Sequence, residues 1–589
     1  MKQFILTMAG VFAALLLFFA GLPLVALGMI ASAAQHSAVP AHAVLQLDLR
    51  RGVTDQEPDS LFPGFGRHPV SVMTVTEALR RAEGDVRVKA LFVRLPEGGV
   101  EPGEADELRA AFKSFREAGK PIIVHSQGLY PSGAITSTYM LGAAADQFWM
   151  QPGAPFQATG LAVSELFFKG LFDKYGVKAD FEQRYQYKNA VNGYLYDDFT
   201  PAHREAELSW MGSIYDSAIA AAAADRKKDA AALKATLEAG PYDAEDAKAK
   251  GLIDRLGQVS EAEDAALTQG GDGAKLVDLD DYASDTKDAV TDPGPVVAVV
   301  SAEGEIMTGP SDAQVGSSNI NSDDVAQALR DAAKDSSVKA IVFRISSPGG
   351  SDTASEEILA AVRAAKAQKP VVVSMGGYGA SGGYWVSSQA SEIVAEPTTL
   401  TGSIGVFGGK LALGPALAKF GVNMRDIGVG GAYADADSPA QEFTPQQRAA
   451  FSAAIDKVYA NFVGRVAEGR RLPVAFVEQN AKGRVWTGVQ AKDLHLVDAL
   501  GGFYVAVDRA KALAGLQGQS VRLKSFSAHH SPFDALAKAF GLNSASIRGM
   551  MLAAQVLSDP KAQAALEQVS RVQLQARGGG DVLAPVPMF

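Results

Sequence analysis

The chain has 589 residues, enough for several units at roughly 100–200 residues per domain, and its 47% hydrophobic and 21% charged content is that of a folded globular protein. A net charge of −11 with no long basic run argues against nucleic acid as the main partner. The absence of cysteine excludes a disulfide framework, a thiol nucleophile and a Cys-ligated metal, and His36, His42, His68, His125, His203, His495, His529 and His530 show no HExxH or comparable spacing, so no metal or other cofactor is expected.

From Phe4 to Ala34 no residue is charged, a run longer than the roughly 20 apolar residues that cross a bilayer. Lys2 precedes this run and the next basic residue is Arg50, a weak signal for a cytoplasmic N-terminus with the remaining chain outside the cytoplasm. Ala31-Ser32-Ala33 and Ala41-His42-Ala43 have the small-x-small form of a secretory cleavage site, but a secretory apolar region is only about 7–15 residues long. Residues 1–38 are therefore expected to be a retained membrane anchor.

The chain then repeats itself. Val88-Lys89-Ala90-Leu91-Phe92-Val93-Arg94 returns as Val338-Lys339-Ala340-Ile341-Val342-Phe343-Arg344, Lys120–Val124 returns as Lys369–Val373, and Gly251–Asp254 answers to His495–Asp498. Colinear matches at a slowly drifting offset indicate a duplicated domain of roughly 220 residues, because solenoid units are far shorter. In each copy, short β-branched runs such as Ala340–Ile345, Pro370–Ser374 and Glu392–Ala395 alternate with helical stretches such as Ser355–Ala367, which implies α/β architecture with largely parallel strands. The expected division is a first repeat at 39–277, an Asp-rich linker at 278–295, a second repeat at 296–515, and a tail at 516–589 with candidate helices at 532–539 and 543–557.

The two copies differ where chemistry would sit. In the second, the strand Val371–Met375 runs into Gly376-Gly377-Tyr378-Gly379-Ala380-Ser381-Gly382-Gly383, which puts the Ser381 hydroxyl at a helix start with free N–H groups behind it. The first copy has extra residues here, and the alignment sets Thr136 at the Ser381 position. Conversely, Lys188 lies 52 residues after Thr136, and the same step from Ser381 reaches Tyr433. One copy holds a candidate nucleophile, the other a candidate base, so a single composite site is expected. A lysine with its reference pKa of about 10.4 is almost wholly protonated at pH 7, and burial can bring it down to about 7–8. Ser403, whose counterpart is Ala158, is the candidate that orients the lysine. An oxyanion hole is expected from the N–H groups of Gly382 and, in the turn Ser346-Ser347-Pro348-Gly349-Gly350, of Gly349.

The motifs Ser346–Gly350, Ala380–Tyr384, Leu400–Gly405 and Tyr187–Ala190, in this order of function, resemble the signal peptide peptidase A (protease IV) family in its long duplicated form. That resemblance spans approximately residues 4–515. It implies two tandem crotonase/Clp-protease-like domains behind an N-terminal transmembrane helix, and a serine endopeptidase with Ser381 as nucleophile and Lys188 as base. It further implies cleaved signal peptides as substrates, a homotetramer, and catalytic domains on the periplasmic side of the cell inner membrane, where lipid meets only the N-terminal helix. Asn189 departs from the small hydroxyl residue that the family pattern carries there.

Three other readings compete. Gly379-Ala380-Ser381-Gly382-Gly383 also fits G-x-S-x-G, so an α/β-hydrolase triad is possible with His495, His529 or His530 as its histidine. A crotonase-like enzyme acting on acyl thioesters, and a non-enzymatic membrane scaffold, are the others. Lys410 is the alternative base, while His495 has Gly251 as its counterpart and reads as a strand-end residue.

Overall fold

The computed structural model describes residues 39–56, 68–287, 294–310 and 319–527. The expected membrane anchor, His529, His530 and the tail helices lie outside these residues. Among the described residues no helix is long and apolar enough to cross a membrane.

Each repeat is a parallel sheet with helices packed on it. In the first, the strands run in the spatial order Arg255–Leu256, Gln147–Met150, Ile122–Ser126, Val88–Arg94, Ala43–Asp48 and Lys275–Asp278, all parallel. The second repeats that order with Ala499–Leu500, Glu392–Ala395, Val371–Ala380, Val338–Ser347, Val296–Glu303 and Arg522–Phe526. The α/β class and the duplication read from sequence are thus both present. The central strands are nearly continuous apolar runs, such as Leu91, Phe92 and Val93 against Ile341, Val342 and Phe343, because both of their faces are covered.

Two details depart from the sequence reading. The Asp-rich stretch after residue 278 contains a helix, Leu279–Lys287, which buries Leu279, Tyr282 and Ala283 while Asp280 and Asp281 sit favourably in its first turn. The strand Arg522–Phe526 lies beyond residue 515 and closes the second sheet as Lys275–Asp278 closes the first. Its largely exposed alternation leaves only a weak apolar signal.

The repeats are joined along a buried polar seam. Arg344 of the second sheet, 1% exposed, donates to Asp55 Oδ2 at 3.0 Å, to Glu107 Oε2 at 2.6 Å and to Ser374 Oγ at 2.9 Å. Glu107 also accepts from the Phe503 N–H at 2.6 Å, and Asp106 accepts from the Thr398 hydroxyl at 2.8 Å. Away from this seam, Lys178–Arg184 of the first repeat pairs antiparallel with Val406–Ala412 of the second.

Candidate active site

Ser381 follows the strand Val371–Ala380 and caps the helix Gly382–Ser387. Its backbone, at φ +53° and ψ −118°, lies where a side-chain-bearing residue is strained by about 1–3 kcal/mol. Two backbone bonds hold it there. Its N–H donates to Gly402 O at 2.9 Å, and its carbonyl accepts from Trp385 N at 2.9 Å.

The matching corner of the first repeat is Gly133, with φ +57°, and not Thr136. A Cβ on Gly99 would strike Ala134 N at 2.3 Å, much as one on Gly349 would strike Gly382 N at 2.8 Å, so the two corners are packed alike. Thr136 lies buried inside the helix Ile135–Ala143, which has nine residues against six in its counterpart. Most of the extra residues lengthen the helix. With Gly133 at the corner, the first copy offers no side-chain nucleophile there.

Lys188 reaches Ser381 from the first repeat along the strand Lys178–Arg184, which fixes Arg184 opposite Val406. Beyond that strand the N–H groups of Tyr185 and Tyr187 both donate to Lys482 O at 3.2 Å. Gly483, at φ +83°, lies against the lysine backbone, and a Cβ there would meet Lys188 N at 2.5 Å. Only glycine permits this approach.

Lys188 Nζ is 3.0 Å from Ser381 Oγ, 2.9 Å from Ser403 Oγ and 3.2 Å from Ser403 O. The lysine is 4% exposed, and burial lowers its pKa from 10.5 to about 7. A neutral amine has two N–H donors and one lone pair. The two Ser403 oxygens can accept both donors, which leaves the lone pair for the Ser381 hydroxyl.

The glycine turn differs in detail from expectation. Gly349 N–H donates to Ser347 Oγ at 3.2 Å, whereas Gly350 lines the cleft with Ser381 and Gly382. Gly350 N lies 3.2 Å from where a Cβ on Gly382 would stand. Sequence reasoning missed Gly350 because two adjacent glycines carry no mark of which one lines the cleft. The cleft, about 520 Å³ and open to solvent, has an apolar wall of Trp385, Val406, Phe407, Ile455, Val458 and Phe462, with Asp352 also on its lining.

The competing candidates are engaged elsewhere. Lys410 Nζ donates to Ala436 O at 2.5 Å and Ser438 O at 2.8 Å, and sits over the Phe443 ring. His495 occupies a left-handed turn at φ +57°, as Gly251 does at φ +66°, and is not on the cleft lining. Among the described residues, the one group that could bring three metal ligands together is Glu165, His203 and Glu207. His203 Nε2 is 3.3 Å from Glu165 and 3.8 Å from Glu207. A metal there would force a proton onto the buried, unpartnered Nδ1.

Two α/β repeats of one topology, with a strained serine at a strand end and a buried lysine in contact with it, define a duplicated serine hydrolase. The chain belongs to Peptidase family S49, whose profile matches residues 114–271 and 363–517, one segment in each repeat. It is a serine peptidase. It is similar to Protease 4 of Salmonella typhi, 34% identical over 462 residues that span 76% of this chain and 72% of that one. Protease 4 of Haemophilus influenzae is 32% identical over 495 residues, 80% of this chain and 77% of its own. Among solved structures, ClpP1 from Listeria monocytogenes aligns over 35% of this chain and 91% of its own, at 14% identity and a TM-score of 0.22.

Proposed function

We propose that this peptidase is an endopeptidase that degrades cleaved signal peptides and other short apolar peptides with a Ser381–Lys188 dyad. The 3.0 Å contact between Lys188 Nζ and Ser381 Oγ, inside a pocket whose burial lowers the pKa of the amine to about 7, is the observation that carries this reading. Nζ takes the hydroxyl proton as Oγ forms a bond to the scissile carbonyl carbon. The resulting oxyanion is received by the N–H groups of Gly382 and Gly350, with Gly349 holding the turn. The lysine then returns its proton to the departing amine, and water resolves the acyl-enzyme by the same route. Ser403 orients the lysine throughout. The apolar cleft wall supports a preference for apolar side chains next to the cut.

The activity follows from the sign of the lysine shift. Below about pH 7 the amine gains a proton and loses its basicity, so the rate should fall about tenfold per pH unit. A pH–rate profile on a synthetic signal peptide checks this, with Ser381→Ala as the blank; a flat profile from about pH 5 to 9 would exclude the lysine.

We further place the uncharged run 4–34 in the cell inner membrane, with both repeats in the periplasm, on the strength of Lys2 and the distance to Arg50. A homotetramer is supported by an apolar surface after the strand Val406–Ala412, where Phe420, Val422, Ile427 and Val429 are all exposed. Light scattering should give about four times 61.7 kDa for the protein part, and Ile427→Lys with Val429→Lys should yield smaller species. An unchanged mass in that double variant would remove this surface from the assembly.

A further inference from the structure

Arg484 is not on the cleft lining, yet it touches several of the segments around the lysine. Its guanidinium donates to both oxygens of Glu205, at 2.6 Å and 2.7 Å, in a two-bond fork. Glu205 belongs to the first-repeat helix Pro201–Asp225, so this fork crosses between the repeats. The same guanidinium lies over two rings, 4.8 Å from the centre of Tyr187 and 4.4 Å from that of Trp486. Tyr187 is the residue immediately before Lys188. Trp486 sits opposite Thr401 in the strand pair that leads into Ser403. The Arg484 carbonyl accepts from the Ser403 N–H at 2.7 Å, and its neighbour Gly483 is pressed against the Lys188 backbone. The arginine side chain is only 13% exposed, although the site carries no charge that needs it for chemistry.

We propose that Arg484 is a positioning residue, a clamp that locks the lysine-bearing arm of one repeat onto the Ser403 strand of the other. The inference rests on the reading of Lys188 as the general base. The ring stack holds the arm through Tyr187, the fork holds the arginine through Glu205, and the backbone bond transmits both to Ser403. Lysine cannot replace this arrangement, because an ammonium has no planar fork to lie over aromatic rings and bond a carboxylate with two parallel hydrogen bonds. Loss of the clamp would let the arm shift and water reach Nζ. Displacement of a reacting group by about 1 Å can cost on the order of a hundredfold in rate.

The test is the pH–rate profile of Arg484→Met, Arg484→Lys and Glu205→Gln in the full chain, with active sites counted by a serine-directed reagent. Arg484→Met should lower kcat per labelled site by about 10–100-fold, with KM within about twofold. Its acid limb should move to higher pH by about half a unit or more, as the wetted amine recovers part of its ordinary basicity. Arg484→Lys and Glu205→Gln should fall between this variant and the parent. An arginine that merely supports the fold would reduce the number of labelled sites and leave the acid limb in place, and that result overturns the proposal. If Arg484→Met does not fold, the limb in the two milder variants decides in the same way. Lys188→Ala separates the two levels: if it keeps substantial activity, the base assignment itself fails, whereas an inert Lys188→Ala beside an unmoved limb in the Arg484 variants sinks the clamp alone.

Discussion

Lys188→Met is expected to lower kcat by about 10²–10⁴-fold and, at the same time, to make the chain more stable at pH 7. The first effect is the loss of the proposed base. Ser381→Ala should be at least as damaging, and the double variant no worse than the poorer single one, because the two side chains act as a unit. The second effect comes from burial. A lysine whose pKa is about 7 when folded and 10.5 otherwise destabilises the fold at neutral pH by on the order of 4–5 kcal/mol. Between those values the unfolded chain holds more protons, so the stability of the parent rises with pH across that window. The Met variant lacks this group and should rise less steeply there. Urea unfolding at pH 7 and pH 9.5 checks both statements; a Met variant that is less stable than the parent at pH 7 contradicts the burial argument.

Arg344→Met should cost about 3–5 kcal/mol, the typical effect of removing one partner from a buried ion pair. Asp55 and Glu107, 1% and 2% exposed, would be left facing each other without a cation. Their surroundings cannot absorb the charge. Burial pushes Glu303 up to about 7 and Asp106 up to about 6, and it raises Glu104 and Glu396 well above the usual carboxylate range, helped by neighbouring carboxylates. Carboxyls with raised pKa values bind protons more tightly in the folded state, so their contribution falls as pH rises through about 6–7. The deficit of Arg344→Met should therefore be larger at pH 8 than at pH 5.5. A variant within about 1 kcal/mol of the parent at pH 8 would show that the seam does not hold the repeats together.

The duplicated architecture was legible because the central strands are buried on both faces, and so write nearly the same apolar run twice. Ser381, Lys188 and Ser403 were legible through their asymmetry: each is matched by a residue that cannot do the same work. The structure brings all three within hydrogen-bond reach. Alignment erred at Thr136 because an uncharged helix of nine residues and one of six look alike where no strand register constrains them. The helix Leu279–Lys287 was hidden by its aspartates, although Leu279, Tyr282 and Ala283 fall on one helical face. Arg484 had no local signal at all. Its partners Glu205 and Tyr187 are far away in the chain, and only the folded contact reveals them.

The antiparallel pairing of Lys178–Arg184 with Val406–Ala412 has a consequence for the timing of activity. During synthesis the amine is made long before its hydroxyl partner, and the Lys482–Arg484 turn that seats it is made later still. If the proposed dyad carries the reaction, a growing polypeptide holds only half of the site until Ser381 and this turn have been made.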